Sequence, residues 1–193
     1  MAINNMYFLK TDYSQANSQA NGALLETKTQ LMNMSSRISS YVTRASNVLE
    51  GQAYSVILGR LKVYASVYEF LSNAIDVALN NIESGNNSVI NAMGSFSELS
   101  GEKIEEIESE IAREKSLYYS MNSKIQSYTD EQEKKNAIAI NNNRYAQISE
   151  LERQKTELEE ALINTNNADA EGASNITNIS NTFVNFENCF IEQ

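Results

Sequence analysis

The sequence contains no proline, no tryptophan, no histidine and only one cysteine. Because proline is the strongest helix breaker, its absence leaves long helices without a covalent obstacle. Without histidine the chain lacks the commonest acid–base group and metal ligand at neutral pH, and Cys189 has neither a histidine to activate it nor a partner for an internal disulfide. We therefore expect no catalytic site and no cofactor, and we interpret Cys189 as a small apolar residue of the last helix.

Basic residues are also scarce, since 15 Lys and Arg against 25 Asp and Glu give a net charge of −10. This charge disfavours nucleic acid and anionic membranes as partners, because binding phosphate requires clusters of Lys and Arg. Residues 1–12 lack the basic start and apolar core of a signal peptide. No apolar run reaches the roughly 18 residues that suggest a membrane span. We therefore expect neither a membrane span nor a cleavable leader.

The first strong feature is a seven-residue hydrophobic period, which predicts a helix from Tyr13 to Leu49. Asp12 is its expected N-cap, and Gln15 completes a capping box. Two apolar columns form an a/d stripe, which is typical of a seam against another helix. One column is Leu24, Leu31, Ile38 and Ala45, and the other is Met34, Tyr41 and Val48.

A second helix is predicted from Gln52 to Ile82, ended by Gly85 in the left-handed conformation. One apolar face holds Tyr54, Ile57, Leu61, Tyr64, Tyr68, Leu71, Ile75, Ala78 and Ile82. The other holds Val56, Val63, Val67, Phe70, Ala74 and Val77. A helix that is apolar on two faces must be covered on two sides. The first helix covers one side of this hairpin (13–83), and a later segment or another protein must cover the other.

The rest of the chain predicts a coiled-coil region over residues 101–163, capped by Ser100 and preceded by a short helix or loop. Its heptad positions are Ile104, Ile107, Ile111, Tyr118, Met121, Ile125 and Tyr128, with Glu114 intruding, and later Ile138, Tyr145, Ile148, Leu151, Leu158 and Leu162. The polar residues 129–136 are either a hairpin turn or part of one continuous helix. Residues 164–175 read as a linker because they are rich in Asn, Ala and Gly. An amphipathic helix over 176–191 follows, with Ile176, Ile179, Phe183, Phe186 and Phe190 in its stripe.

These patterns predict an all-α fold over residues 1–193, an elongated helical bundle built on a long helical hairpin with a coiled-coil extension. The corner of the hairpin reads Leu49-Glu50-Gly51-Gln52-Ala53-Tyr54. A Leu-x-Gly followed by Ala-Tyr and a long apolar helix resembles the LXG domain. That domain is the N-terminal targeting region of polymorphic toxins that Gram-positive bacteria export through the type VII secretion system. Residues 96–104 also resemble the family's lead into its coiled region.

The resemblance implies a non-catalytic, secreted domain that binds small helical WxG-like partner proteins and, with them, the type VII secretion machinery. Together with the second apolar face, it makes candidates for partner binding of Leu49, Gly51, Ala53, Tyr54, Val56, Val63, Val67, Phe70 and Val77. Export signals of such systems combine an aromatic residue with an acid four residues later. Phe8 with Asp12, and Phe183 with Glu187, have this spacing, although a packed aromatic residue and a solvated acid would give the same pattern.

Two other functions fit the same patterns. A structural coiled-coil protein of a cell surface or phage would self-associate along its heptads into a homo-oligomer. A pore-forming helical toxin would insert the apolar stretch 54–82 into a membrane. In that stretch Arg60, Lys62, Glu69 and Asp76 make insertion costly.

Overall fold

The computed structural model describes the backbone of residues 5–191 and the side chains of residues 5–185. Its helices are α1 (Lys10–Ser46), α2 (Gln52–Ala92), α3 (Gly101–Ile125) and α4 (Glu131–Ile191), and its two short strands are β1 (Tyr7–Leu9) and β2 (Glu98–Ser100). The predicted all-α class is confirmed, since 88% of the described residues are helical. Among the described helices none is both long and apolar enough to cross a membrane.

The chain divides into two compact units. The hairpin unit comprises residues 12–88 and those from 169 onward, and the ladder unit comprises residues up to 11 and 89–168. Helix α1 begins at Lys10 rather than at Tyr13, so Asp12 lies in its first turn and is not the N-cap. The reason is that the Lys10 amide donates to the Ser97 carbonyl at 3.0 Å, which leads the strand directly into the helix.

In the hairpin unit α1 and α2 pack as an antiparallel pair. Three side-chain contacts join them: Asn86 Nδ2 to Asn17 Oδ1 at 2.7 Å, Lys28 Nζ to the Asp76 carboxylate at 2.7 Å, and Ser35 Oγ to the Ala65 carbonyl at 2.9 Å. Successive contacts run forward along α1 and backward along α2, as expected for an antiparallel pair. We letter the heptads of both helices a to g so that a and d face the partner helix.

The inner columns of α1 differ in part from the predicted stripe. Column d holds Leu24, Leu31, Ile38 and Ala45, which are half-buried as predicted. Column a is Lys28, Ser35 and Val42, whereas the predicted Met34, Tyr41 and Val48 are exposed and occupy column g. Column g lies three residues after column d, and column a lies four residues after it. Both repeat every seven residues, so spacing alone does not show which of the two faces α2. Packing decides, because Val42 is buried and Lys28 and Ser35 find polar partners on α2.

The inner columns of α2 are Leu58, Ala65, Ser72 and Leu79 at a, and Leu61, Tyr68, Ile75 and Ile82 at d. Column a was not predicted, because Ala65 and Ser72 are too small to stand out in an apolar pattern. Both are buried. Tyr54, Ile57 and Tyr64, which were predicted on the same apolar face as Leu61, Tyr68 and Ile75, are exposed.

Gly85 lies inside α2, and the left-handed cap predicted there is wrong. A Cβ atom at Gly85 would lie 3.3 Å from the Gly172 Cα of α4, so the missing side chain lets the two helices approach closely. Residues 164–175 are accordingly helical rather than irregular, and the boundary between the two units falls within them. The physical reason is that their small side chains permit this packing, and packing stabilises a helix more than propensity does. Helix α2 ends instead before Gly94, whose φ is +57°.

In the ladder unit, β1 and β2 form an antiparallel ladder in which Phe8 lies opposite Leu99. Both side chains are buried. The Gly101 amide extends the ladder by donating to the Met6 carbonyl at 3.0 Å. These strands were not predicted, because three residues are too few for an alternating pattern to be recognised.

Helix α3 has the predicted start, with Ser100 Oγ accepting from the Lys103 amide at 3.4 Å. Its predicted heptad residues are buried or half-buried: Ile104, Ile107, Ile111, Tyr118, Met121 and Ile125. A turn over residues 126–130 follows, since α3 ends at Ile125 and α4 begins at Glu131, and residues 131–136 of the polar segment lie in α4. Asp130 caps α4, because its Oδ1 accepts from the backbone amides of residues 132 and 133 at 2.8 Å.

The seam between α3 and residues 131–168 of α4 contains polar side chains that hydrophobic spacing did not identify. Glu114 is 7% exposed, and its Oε2 lies 3.0 Å from Arg144 Nε. Asn141 is also buried and donates to Asn122 Oδ1 at 2.7 Å. The predicted Ile148, Leu151, Leu158 and Leu162 lie in the seam, whereas Ile138 and Tyr145 are exposed. Asn141 and Arg144 take the inner positions because α3 offers them polar partners.

The close approach of Gly85 and Gly172 predicts that a side chain at position 85 destabilises the hairpin unit. We expect Gly85→Leu to lower the free energy of unfolding by about 1–3 kcal/mol, the usual cost of overpacking. Gly22→Leu is the matched control, because a Cβ at Gly22 meets no atom within 4 Å. Helix propensity predicts that the control gains up to about 0.8 kcal/mol. Equal stability of the two variants in urea unfolding would contradict the close approach.

The pair of Glu114 and Arg144 predicts a non-additive mutant cycle. Arg144→Leu leaves a buried carboxylate with only Arg113, which lies 3.1 Å away and is mostly exposed. We expect a loss of about 1–3 kcal/mol, since an under-satisfied buried charge is costly. The double variant Glu114→Leu/Arg144→Leu should recover most of that loss. Chemical unfolding of the single and double variants measures the cycle, and a double variant less stable than Arg144→Leu would refute this account.

Candidate partner-binding surface

The Leu-x-Gly corner occupies the connection between α1 and α2. The amide of Leu49 donates to the Ala45 carbonyl at 2.8 Å and closes the end of α1. Gly51 has φ +118°, and its carbonyl accepts from the Ser55 amide at 3.1 Å, the first hydrogen bond of α2. Gly51 therefore caps the start of the second helix and lies beyond the end of α1 at Ser46. The positive φ explains why glycine is needed here.

The outer face of α2 consists of Val56, Val63, Phe70 and Val77 in column f and of Val67 and Ala74 in column c. The four side chains of column f are 48–56% exposed, although each is large and apolar. They repeat every seven residues, so they form one straight stripe along the helix. This stripe lies on the side of α2 away from the inner columns, so α1 does not cover it.

The end of α4 lies beside one half of the outer face. Ile179 and Phe183 face Phe70, Ala74 and Val77 across a cavity of about 280 Å³. The other half remains an open groove, lined by Lys62, Val63, Ser66, Val67 and Phe70. A helix packed into this groove would continue the line that α4 follows.

The other predicted residues lie in varied surroundings. Leu49 is half-buried at the corner, and Ala53 and Tyr54 are exposed in the first turn of α2. Of the candidate export signals, Phe8 is buried in the ladder, Asp12 is exposed in the first turn of α1, and Phe183 is half-buried. The side chain of Glu187 lies outside the described residues. The outer-face residues are thus brought together, and the corner residues adjoin them in sequence.

Sequence reasoning missed a second exposed apolar set, because it assigned these residues to the covered seam. The set is column g near the corner: Met34, Tyr41, Val48, Ile57 and Tyr64. The signal was nevertheless present in the sequence. Helix α2 is apolar in four of its seven heptad columns, a, d, f and g, and in part of column c, which is more than one partner helix can cover.

The ionisable groups make structural contacts. Burial, together with a 2.9 Å hydrogen bond to Asp169, raises the pKa of the Tyr13 phenol well above its ordinary value. The Arg153 guanidinium lowers the pKa of Glu150 to about 2. Over the described part of the chain, no three His, Cys, Asp or Glu side chains are grouped to hold a metal ion. The exposed apolar face of α2 is therefore the candidate site.

The φ of Gly51 predicts that a side chain at the corner strains the hairpin. We expect Gly51→Ala to lower the free energy of unfolding by about 1–3 kcal/mol, the cost of holding an L-residue in a sparsely populated region. Gly59→Ala is the control, because Gly59 lies within α2 and a Cβ there meets no atom within 4 Å. The control should gain about 0.4–1 kcal/mol. Thermal unfolding of both variants checks this, and a neutral Gly51→Ala would count against the corner's strain.

Comparison with known proteins gives no relative for this chain. No protein-family model, no curated protein and no solved structure matches it. The resemblance to the LXG domain therefore rests on the residues of the corner, on α2 and on residues 96–104, and what it implies about export is a proposal.

Proposed function

We propose that this chain is a non-catalytic binding domain whose hairpin receives small helical partner proteins. The observation that supports this most strongly is the outer face of α2, where four large apolar side chains at heptad spacing are about half exposed. Exposed apolar stripes of this kind are typical of interaction surfaces. Their heptad spacing favours a helix as the occupant, because a helix packs along such a stripe by knobs into holes.

The chain's own contact on the same stripe supports a helical occupant. Ile179 and Phe183 of α4 lie beside the half of the outer face near Val77, in helix-to-helix geometry. The half near Val56 and Val63 has the same chemistry and no such cover. A partner helix on this half would bury it in the way that α4 lies along the other half.

The resemblance to the LXG domain extends this proposal to secretion. In that proposal the partners are small helical WxG-like proteins, and the complex is exported through the type VII secretion system as part of an antibacterial toxin. The residues that carry the resemblance are Leu49, Gly51, Ala53 and Tyr54, which form the corner next to the open half of the outer face. A self-associating coiled-coil protein is the alternative, and it predicts that a second copy covers the same stripe.

Charged substitutions on the outer face should abolish binding of the partners. The test co-expresses the full chain with any small helical proteins that are encoded beside its gene and measures complex formation by size-exclusion chromatography with light scattering. We expect Val56→Asp/Val63→Asp to weaken the complex at least about a hundredfold, because two buried charges without partners cost several kcal/mol. Both side chains are more than half exposed, so the fold should tolerate the change.

The matched control is Leu25→Asp/Met32→Asp, which places two charges in column e of α1 at similar exposure. It should bind as the unaltered chain does. Equal loss in both variants, or an unaltered complex with the outer-face variant, would refute the proposed surface. A stable homo-oligomer of the chain alone, dispersed by Val56→Asp/Val63→Asp, would favour the self-associating alternative.

A further inference from the structure

The arginines of the hairpin and the acids of α2 lie in different heptad columns. All three arginines of residues 12–88, Arg37, Arg44 and Arg60, occupy column c and are exposed. The acids Glu69, Asp76 and Glu83 of α2 occupy column e, on the other side of the inner columns. Columns c and g of both helices contain no Asp or Glu. Residues 29–68 hold four basic residues and one acid, a net charge of +3 within a chain of −10.

Column g borders column c, and the g residues of both helices face one groove. At the end of the hairpin opposite the corner, which we call the open end, Tyr13 of α1 and Gly85 of α2 are both g positions. Tyr13 contacts Asp169 at 2.9 Å, and a Cβ at Gly85 would lie 3.3 Å from Gly172. Because Asp169 and Gly172 are one turn apart on α4, this one helix lies over the g columns of both partners. We call the line of g positions the third-helix groove.

The third-helix groove is filled over one half only. Toward the open end its residues Ala20, Leu71 and Ala78 are buried or half-buried. Toward the corner, Met34, Tyr41, Val48, Ile57 and Tyr64 are 47–78% exposed. Helix α4 leaves this line, since Ile179 and Phe183 lie beside columns c and f of α2. The corner half is therefore an apolar groove continuous with an interface that the chain itself forms.

We propose that the corner half of the third-helix groove binds an acidic amphipathic helix of a partner protein. The apolar stripe of that helix packs on Met34, Tyr41, Ile57 and Tyr64 and completes a three-helix bundle. Its carboxylates pair with Arg37, Arg44 and Arg60, which border the groove on both sides. This surface is distinct from the outer face of α2 and adds a charge requirement to the partner.

The charges favour this occupant over two others. A second copy placed symmetrically on the groove would bring its three arginines against the same three arginines. An anionic membrane would attract this patch but repel the remaining chain, whose net charge is −13 once the +3 of residues 29–68 is subtracted from −10. An acidic helix meets neither repulsion at the groove.

The experiment uses the full chain and two synthetic peptides of about four heptads, long enough to form a helix on binding. Both have Leu at a and d and one Trp; one has Glu at e and g, and the other has Lys. Because the chain has no Trp, the peptide's fluorescence reports binding directly. We expect the Glu peptide to bind and the Lys peptide to bind at least about tenfold more weakly, since its charges face the arginines.

The decisive variant is Arg37→Gln/Arg44→Gln/Arg60→Gln, which removes only the column c charges. Three ion pairs at the rim of a groove correspond to about a tenfold loss of affinity for the Glu peptide. Lys62→Gln is the matched control, because this exposed cation is two residues from Arg60 but lies in column e. Its effect is compared with that of Arg60→Gln alone, which removes one charge from column c. We expect Arg60→Gln to lose about twofold in affinity and Lys62→Gln clearly less, so two one-charge changes separate local pairing from general attraction.

Four results would overturn the inference. The first two are no binding of the Glu peptide, and equal losses for Arg60→Gln and Lys62→Gln. The third is self-association in light scattering that the triple variant abolishes. The fourth is cosedimentation with phosphatidylserine vesicles that the triple variant abolishes while the Glu peptide fails to compete. Val56→Ser/Val63→Ser should leave peptide binding within about twofold, because these residues belong to the outer face. Loss of peptide binding at the third-helix groove can thereby be distinguished from loss of partner binding at the outer face, on which the proposed function depends.

Discussion

The packing of α1 against α2 is the interaction on which the hairpin unit depends. Its inner columns combine aliphatic residues with small and polar ones, and the Ser35 hydroxyl reaches the Ala65 backbone carbonyl at 2.9 Å. This contact needs Ala65 and Ser72 to be small, because a larger side chain would separate the helices. Once the inner columns are fixed, every other column has a defined position. The outer face and the third-helix groove are consequences of this register.

The second constraint is the approach of α4 to the same hairpin. A Cβ at Gly85 would lie 3.3 Å from the Gly172 Cα, a tight contact, and Tyr13 donates a hydrogen bond to Asp169 one turn away on α4. These contacts place α4 over one half of the hairpin. They also define what remains uncovered, which is the half near the corner, with its apolar residues and its three arginines. The surface proposed for binding is thus the part of the hairpin that α4 does not cover.

The ladder unit differs from the hairpin unit in having polar side chains within the seam between α3 and α4. Glu114, Asn141 and Arg144 take positions that apolar residues usually occupy in a helical pair. Across the seam Arg144 pairs with Glu114, and Asn141 donates to Asn122. An ion pair in such a position is worth little in net stability, but a shift in register would leave its partners buried without contacts. We therefore expect these side chains to select one alignment of α3 and α4 rather than to add stability.

Several features follow from the sequence itself. The all-α class and the cap at Ser100 are carried by local patterns that tertiary packing only reinforces. The second apolar face of α2 was also visible, because Val56, Val63, Phe70 and Val77 repeat at heptad spacing. These signals are local, since each depends on residues within a few helical turns of one another.

Tertiary structure decided which heptad columns lie inside. Met34, Tyr41 and Val48 are more apolar than Lys28, Ser35 and Val42, yet the latter lie in the seam because their partners on α2 are some 30 to 50 residues away in the chain. The same holds for Gly85 and Gly172, which look like a cap and a linker until the helices that they join are brought together. Small and polar residues at helix contacts give no apolar signal, so only the packed structure identifies them.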